Sequence, residues 1–428
     1  MGEAIGVSVA ALTDVGMRRT TNQDAHALLI ADAPALLQDR GHFLMVADGM
    51  GAHAAGELAS KLAADGVSHL YHKYREVSPP EALLRAIRET NTEINRRGMA
   101  NPDFHNMGTT SSVLLLLPQG ALAAHVGDSR VYRLRGDTIC QLTFDHSLQW
   151  ELRASGQLPA GADISAVVPK NVITRSLGPN PNVEIDLEGP HPIALGDVYL
   201  LCSDGLTGRV EDEEIGAILT SLPPAEAAQA LLDLANLRGG PDNVTVLISR
   251  VTGPELVAGG AALEPLRMGA APATLGAHPA VWAVAGICLL AAAALAGLGQ
   301  FPAAGVALGG GVLAALVGLI WRGVSLSRSA LGRDRMLGRG PYTTTTCAPN
   351  HELVQKLAAT LDELREAARD GSWTINWEPL DESCRQAQAA DEAGNFVEAV
   401  RHNCRAISYV MSQLRAQNDK RGGDSDVL

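Results

Sequence analysis

Aromatic side chains are scarce in this chain. They fill 4% of its 428 positions while hydrophobic residues as a whole fill 46%, so any core must be mainly aliphatic. An excess of positive charge is missing too. The formal net charge is −13, which excludes a general nucleic-acid binder, since that class needs a basic surface to displace counterions. The same surplus of carboxylates suits a protein that collects cations. No two of the six cysteines form a CxxC pair, which argues against a zinc cluster or disulfide framework and fits reduced thiols in a cytosol. Finally, charge of either sign is absent over 279–321, and a charge-free run of that length calls for its own explanation.

Residues 1–251 read as one mixed unit. Apolar, β-branched runs bounded by Gly, Asp and Pro predict strands over 43–47, 112–117, 122–126, 130–135, 138–143, 197–202 and 244–251. Helical spacing predicts helices over 55–70, 80–98, 148–155 and 225–237. Strands in runs, with helices grouped between them, predict an α+β layered fold rather than a βαβ repeat.

The region 252–278, rich in Gly, Ala and Pro, is expected to be a flexible linker. The uncharged run 279–321 is too long for one membrane span of about 20 residues and long enough for two with a tight turn at "GLGQFPAAG". A transmembrane helical hairpin is expected, with a buried hairpin of a soluble domain as the alternative. Arg322, Arg328, Arg333, Arg335 and Arg339 follow, so 322–349 is expected to be a basic linker on the cytoplasmic side. A two-pass hairpin returns the chain to the side it left. The expected location is therefore the inner membrane, with both flanking regions in the cytoplasm. Residues 350–417 carry a helical pattern broken at Gly394-Asn395, which faintly resembles a tetratricopeptide pair and equally suits a small all-α bundle. Residues 418–428 are expected to be a disordered tail.

Four aspartates share one local design. Asp24 lies in "RRTTNQDA", Asp48 ends the strand in "VADGMG", Asp204 ends another in "LLCSDGL", and Asp242 precedes a strand in "GGPDNVTVLI". Each stands at a strand–loop junction, and strand ends on one side of a sheet can converge although distant in sequence. Clustered carboxylates raise one another's pKa unless a cation intervenes. An all-oxygen set selects hard ions, Mg2+ or Mn2+. Two ions about 4 Å apart could share a water, acidify it and present hydroxide to phosphorus. Gly49, lacking a Cβ, would let its carbonyl approach an ion. Any one of these aspartates alone would be read as a turn residue or helix cap.

Taken with "VADGMGAHAAGELAS", "GTTSSVLLL", "HVGDSRVYRLRGD", "LTFDHS" and "ITRSLG", these motifs make residues 5–251 resemble the type 2C metal-dependent serine/threonine protein phosphatases, in their bacterial style. The resemblance implies a four-layer α/β/β/α sandwich of two antiparallel sheets, with a two-metal site at one end. Mapped residue by residue, it implies that Asp48 bridges both ions and the Gly49 carbonyl binds one. Asp24 would act mostly through water, while Asp204 and Asp242 complete the other shell. Arg19, at the RxxN spacing to Asn22 that Arg18 lacks, would bind the substrate phosphate. Asn243 would orient the loop or a metal-bound water. Asp128 in "GDSR" would support a third metal or serve only as a hairpin-turn residue. His53 would protonate the leaving serine oxygen or merely pack at a helix start; Ala52 beside it departs from the family's usual glycine. His26, His125 and His146 are expected to be structural.

The expected activity is hydrolysis of phosphoserine and phosphothreonine by a hydroxide bound to a dinuclear metal centre, on protein substrates of a cognate kinase. The helical tail is expected to offer a protein-binding surface. The alternative is a catalytically inactive phosphoprotein-binding scaffold, which loss of a metal aspartate would favour; none of the four is missing.

Overall fold

The computed structural model describes residues 5–51, 54–155, 168–169, 172–257, 266–268, 279–331, 337–370 and 375–423. In chain order, β1 (Val7–Asp14), β2 (Asp24–Leu29) and α1 (Pro34–Arg40) lead to β3 (His42–Met50) and the long helices α2 (Ala55–Lys73) and α3 (Pro79–Ala100). Then come β4 (Gly108–Thr109), β5 (Ser111–Leu117), β6 (Gly120–Val126), β7 (Arg130–Arg135) and β8 (Thr138–Gln141). After α4 (Leu148–Ala154) follow β9 (Asp186–His191), β10 (Val198–Cys202), α5 (Asp204–Thr207), α6 (Asp212–Ser221), α7 (Pro224–Leu237) and β11 (Val244–Val251). The rest comprises β12 (Leu266–Arg267), α8 (Pro279–Gly297), α9 (Phe301–Ser329), β13 (Ala330–Leu331), β14 (Thr343–Thr346), α10 (His351–Asp370), α11 (Trp377–Glu392) and α12 (Phe396–Gly423).

The strands form two antiparallel sheets. One runs β1-β11-β10-β7-β8-β14, the other β2-β3-β5-β6-β9 with β4 paired to β3. The period-two alternation of β3 explains the layering. Leu44 and Val46 point into the space between the sheets, where they meet Tyr199, Leu201 and Leu247. Phe43, Met45 and Ala47 point outward under α2 and α3, against Ala63, Val67, Leu83 and Ile87. On the opposite face, Leu200, Cys202, Val246 and Ile248 pack under α6 and α7. This is the expected four-layer order.

Four expectations about the C-terminal half are corrected. Residues 343–346, assigned to the basic linker, form β14 and pair with β8 at the edge of the first sheet, Thr345 opposite Ile139. Just before it, Gly340 N donates to Glu188 Oε2 at 3.0 Å, and the Tyr342 hydroxyl also bonds Glu188. The helical tail is not a separate bundle. Leu353, Val354, Leu357 and Leu361 of α10, with Val400, Ile407 and Val410 of α12, share one buried cluster with Ile215, Ile218 and Leu231 of α6 and α7. It therefore adds a fifth layer. The end of the chain is helical further than expected, since α12 runs to Gly423 and only 424–428 lie outside the described residues. Likewise the linker 252–278 contains Leu256, buried against the sandwich, and β12, which pairs with β13.

The two apolar helices α8 and α9 pack on each other. Their outer surface is aliphatic and open, with Leu290 74% and Val306 79% exposed. Among the described residues one helix, through Phe301–Leu319, is long and apolar enough to cross a membrane; the apolar part of α8, Val281–Gly297, is shorter.

Candidate active site

The pairing of β2 with β3 sets Asp24 opposite Asp48, at the same end of the second sheet. Asp204 follows β10 as the first residue of α5, and Asp242 lies just before β11, the neighbour of β10. Asp128 sits in the turn between β6 and β7. Crossing the two sheets thus brings five aspartates from five segments to one end of the sandwich.

Their electrostatics follow from the proximity. Burial raises Asp24 to about 7, with Asp204 and Asp242 adding to the rise and hydrogen bonds from Ser203 and Thr245 opposing it. Asp48 is pushed well above the usual carboxylate range by burial and then by Asp24, Asp204, Asp128 and Asp242. Burial, followed by Asp204 and Asp145, lifts Asp128 to about 8. Asp204 is raised by burial and by Asp242. Such mutual repulsion is costly unless protons or cations relieve it.

The second rank of the site is a set of hydroxyls that the motifs did not single out. Ser203 Oγ and Thr245 Oγ1 both donate to Asp24 Oδ2 at 2.7 Å. Asp48 N donates to Thr110 Oγ1 at 2.8 Å, and that hydroxyl meets Ser129 Oγ at 2.8 Å. Ser203 and Thr110 lie inside the quoted "LLCSDGL" and "GTTSS", so their place beside the aspartates was the available signal. Arg130, also unassigned, holds Asp145 through Nε and Nη2 and contributes positive potential at Asp204. His125 and His146 have the expected structural partners. His125 bridges Ser112 Oγ and Gly127 O, while His146 accepts from Gly127 N and contacts Asp186. Together they prop the turn that carries Asp128.

At Gly49 the structure adds a steric reason for glycine. A Cβ there would stand 2.1 Å from Gly56 O and 2.6 Å from Gln23 O. The position must be glycine because the first turn of α2 and the β2 entry close over it. His53 and Ala52 lie outside the described residues.

Asn243 braces the β1–β2 loop. Its Oδ1 accepts from Gln23 N at 2.8 Å, and its Nδ2 donates to Val15 O and Thr21 O. Arg19 stands on that loop, half exposed, and donates from Nη2 to Asp242 Oδ2 at 2.9 Å. Two residues expected to serve phosphate and metal therefore neutralise each other in this arrangement. Either ligand must compete with that ion pair.

The carboxylates fit a hard divalent cation in donor chemistry. All are oxygens, and both Asp24 Oδ1 and Asp128 Oδ1 are buried without a protein partner. Among the described residues, no three His, Cys, Asp or Glu side chains are disposed to hold an ion by themselves. Water would have to complete any shell here, as is usual for Mg2+.

Comparison with known proteins agrees with this geometry. A sequence profile described as protein phosphatase 2C matches residues 17–149. Protein phosphatase PhpP of Streptococcus pneumoniae is 37% identical over 246 residues, covering 56% of this chain and 96% of that protein. The serine/threonine phosphatase stp of Listeria innocua is 37% identical over 216 residues, covering 49% of this chain and 85% of that protein. The crystal structure of the Mycobacterium tuberculosis serine/threonine phosphatase PstP/Ppp superposes with a TM-score of 0.51 at 34% identity, covering 58% of this chain and 99% of that one. With a whole relative spanned at that identity, the chain belongs to the protein phosphatase 2C family of serine/threonine protein phosphatases.

Proposed function

We propose that the chain hydrolyses phosphoserine and phosphothreonine on protein substrates of a cognate kinase, at the aspartate-lined end of the sandwich. The observation that carries this is the convergence of Asp24, Asp48, Asp128, Asp204 and Asp242 on one end of the sandwich, with Asp24 Oδ1 and Asp128 Oδ1 buried without a protein partner, a cluster that favours divalent cations. Asp48, the Gly49 carbonyl, Asp24, Asp204 and Asp242 would together hold two ions, Mn2+ or Mg2+. Asp128 would serve a third ion. Bound there, the ions would supply positive charge and an acidified water for in-line attack on phosphorus. The protein's own part is positional. Ser203 and Thr245 fix one oxygen of Asp24, leaving the other for the site. Arg19 turns from Asp242 to the incoming phosphate, which its planar fork matches. Asn243 holds the loop while it does so. His53 is the proposed proton donor to the leaving oxygen.

The test is release of phosphate from a phosphothreonine peptide with Mn2+. Arg19→Ala should raise KM at least about tenfold, the loss of a charge-assisted contact, while Mn2+ uptake measured by calorimetry stays near wild type. An unchanged KM would remove Arg19 from phosphate binding, and absence of Mn2+-dependent activity would remove the reaction itself.

The open aliphatic exterior of α8 and α9 is proposed to lie in a bilayer as a two-pass hairpin, with the basic run Arg322 to Arg339 on the cytoplasmic side. The full chain should sediment with membranes and be released by detergent but not by 1 M salt. Release by salt alone would instead mark surface attachment.

A further inference from the structure

The tail lies beyond the stretch shared with PhpP, because 246 residues already cover 96% of that relative. Three arginines of α12 clamp it along α6 and α7 in order. Arg401 Nε donates to Ser221 O at 3.0 Å, Arg405 Nε pairs with Glu226 Oε2 at 2.7 Å, and Arg415 Nη2 pairs with Asp233 Oδ1 at 2.6 Å. The first two touch only the helical layer. The third goes further, since Arg415 Nη2 also faces Asp14 Oδ2 at 3.7 Å.

Asp14 is the last residue of β1, where the Arg19 loop begins. Its other oxygen, Oδ1, accepts from Gly16 N at 2.8 Å and from Asn236 Nδ2 at 3.1 Å. Gly16 has φ +81, and a Cβ there would lie 2.2 Å from Asp242 O, so the turn fits only one narrow path past the site. Met17 N then donates to Gly240 O at 2.8 Å. On its tail side the loop borders a cavity of about 390 Å3, lined by Met17, Leu237, Leu364, Met411 and Leu414. Apolar packing from the tail therefore leaves a gap beside Met17, and the tail reaches the loop's first residue through the Arg415 guanidinium.

We propose that Arg415 is a positioning residue. By holding Asp14 it fixes the turn that aims Arg19, so the appended tail sets substrate affinity at the active site. This rests on the proposed role of Arg19 in binding phosphate. Arg415 touches neither substrate nor ion, and its ion pair to Asp14 is long and partly exposed, so a modest effect on binding is expected.

The test uses the full chain and steady-state kinetics on a phosphothreonine peptide. Arg415→Ala should raise KM roughly two- to fivefold, within the range of a partly exposed ion pair, with kcat within about twofold. Arg415→Lys, which keeps the charge, should recover most of the loss. Arg405→Ala breaks a neighbouring clamp without reaching Asp14 and should leave KM at the wild-type value. Asp14→Asn should raise KM, and adding Arg415→Ala to it should have little further effect. Equal increases in the Arg405 and Arg415 variants, or full additivity with Asp14→Asn, would reduce Arg415 to a docking contact and overturn the proposal. Arg19→Ala measured alongside separates the two claims. If it raises KM while Arg415→Ala does not, the coupling alone fails; if it leaves KM unchanged, the phosphate role fails first.

Discussion

Asp48→Asn is expected to lower kcat by on the order of a thousandfold, the usual scale for removing a preorganised charge at a reacting centre. Asp48 is the carboxylate on which four others act, Asp24, Asp204, Asp128 and Asp242 all raising its pKa. An amide keeps the shape and the backbone bond from Asp48 N to Thr110, so the fold should survive. What disappears is the one negative charge that the other four surround. Asp24→Asn should cost less, because the oxygen of Asp24 that takes two hydroxyl bonds can be kept as an amide oxygen. Activity assays with circular dichroism would check both. Near-normal turnover in a folded Asp48→Asn would displace the proposed centre from this end of the sandwich.

The second large effect is on stability. Adding Mn2+ to chelator-treated protein should raise the unfolding midpoint by roughly 3–5 °C for each ion held at about a hundredfold over its Kd. The sign with pH follows from the carboxylates. Asp24 and Asp128 stand near 7 and 8 in the fold, raised from an unfolded value of 3.8. Between those limits the folded state holds more protons than the unfolded one, so the metal-free protein should lose stability as pH rises from about 4 to 8. Below the unfolded value the penalty is absent. The gain from Mn2+ should therefore be larger at pH 8 than at pH 6, where protons compete for the same oxygens. Differential scanning calorimetry at both values would decide, and a gain that shrinks with rising pH would contradict the assignment.

What the sequence displayed clearly was whatever follows from local pattern. The β3 segment alternates under two different layers yet is apolar on both faces, so it reads as a strand without knowledge of its neighbours. Asp48, Asp204 and Asp242 were legible because each borders such a strand and because their order resembles a family; Asp24, at the head of the unexpected strand β2, was legible from its motif alone. β9 was not legible. Its sequence, DLEGPH, holds two acids and Gly-Pro, and it is a strand because β6 pairs with it. β14 carried a signal that went unused, four consecutive β-branched threonines inside a stretch otherwise read as linker. The stripe of Leu353, Leu357, Leu361 and Leu364 announced a buried face on α10, but periodicity cannot say against what. The answer, α6 and α7, depends on contacts nearly 150 residues back in the chain, as does the bond from Lys356 to Glu211. The hydroxyls around Asp24 and Asp48 were missed for a related reason. Ser and Thr are common in strands, and only the closed geometry turns them into carboxylate holders.

The strand β14 has a mechanical consequence. Having left the sandwich and traversed α8 and α9, the chain returns to the same sheet it departed from, so the helix pair is moored at both ends. At about 3.5 Å per residue, the stretch from the end of α9 to β14 spans at most roughly 50 Å even when drawn straight. A hairpin set in lipid would then hold the catalytic body like a boat on one short line. It would patrol only a thin shell of solution beside the bilayer, and kinases or substrates beyond that shell would have to come to it.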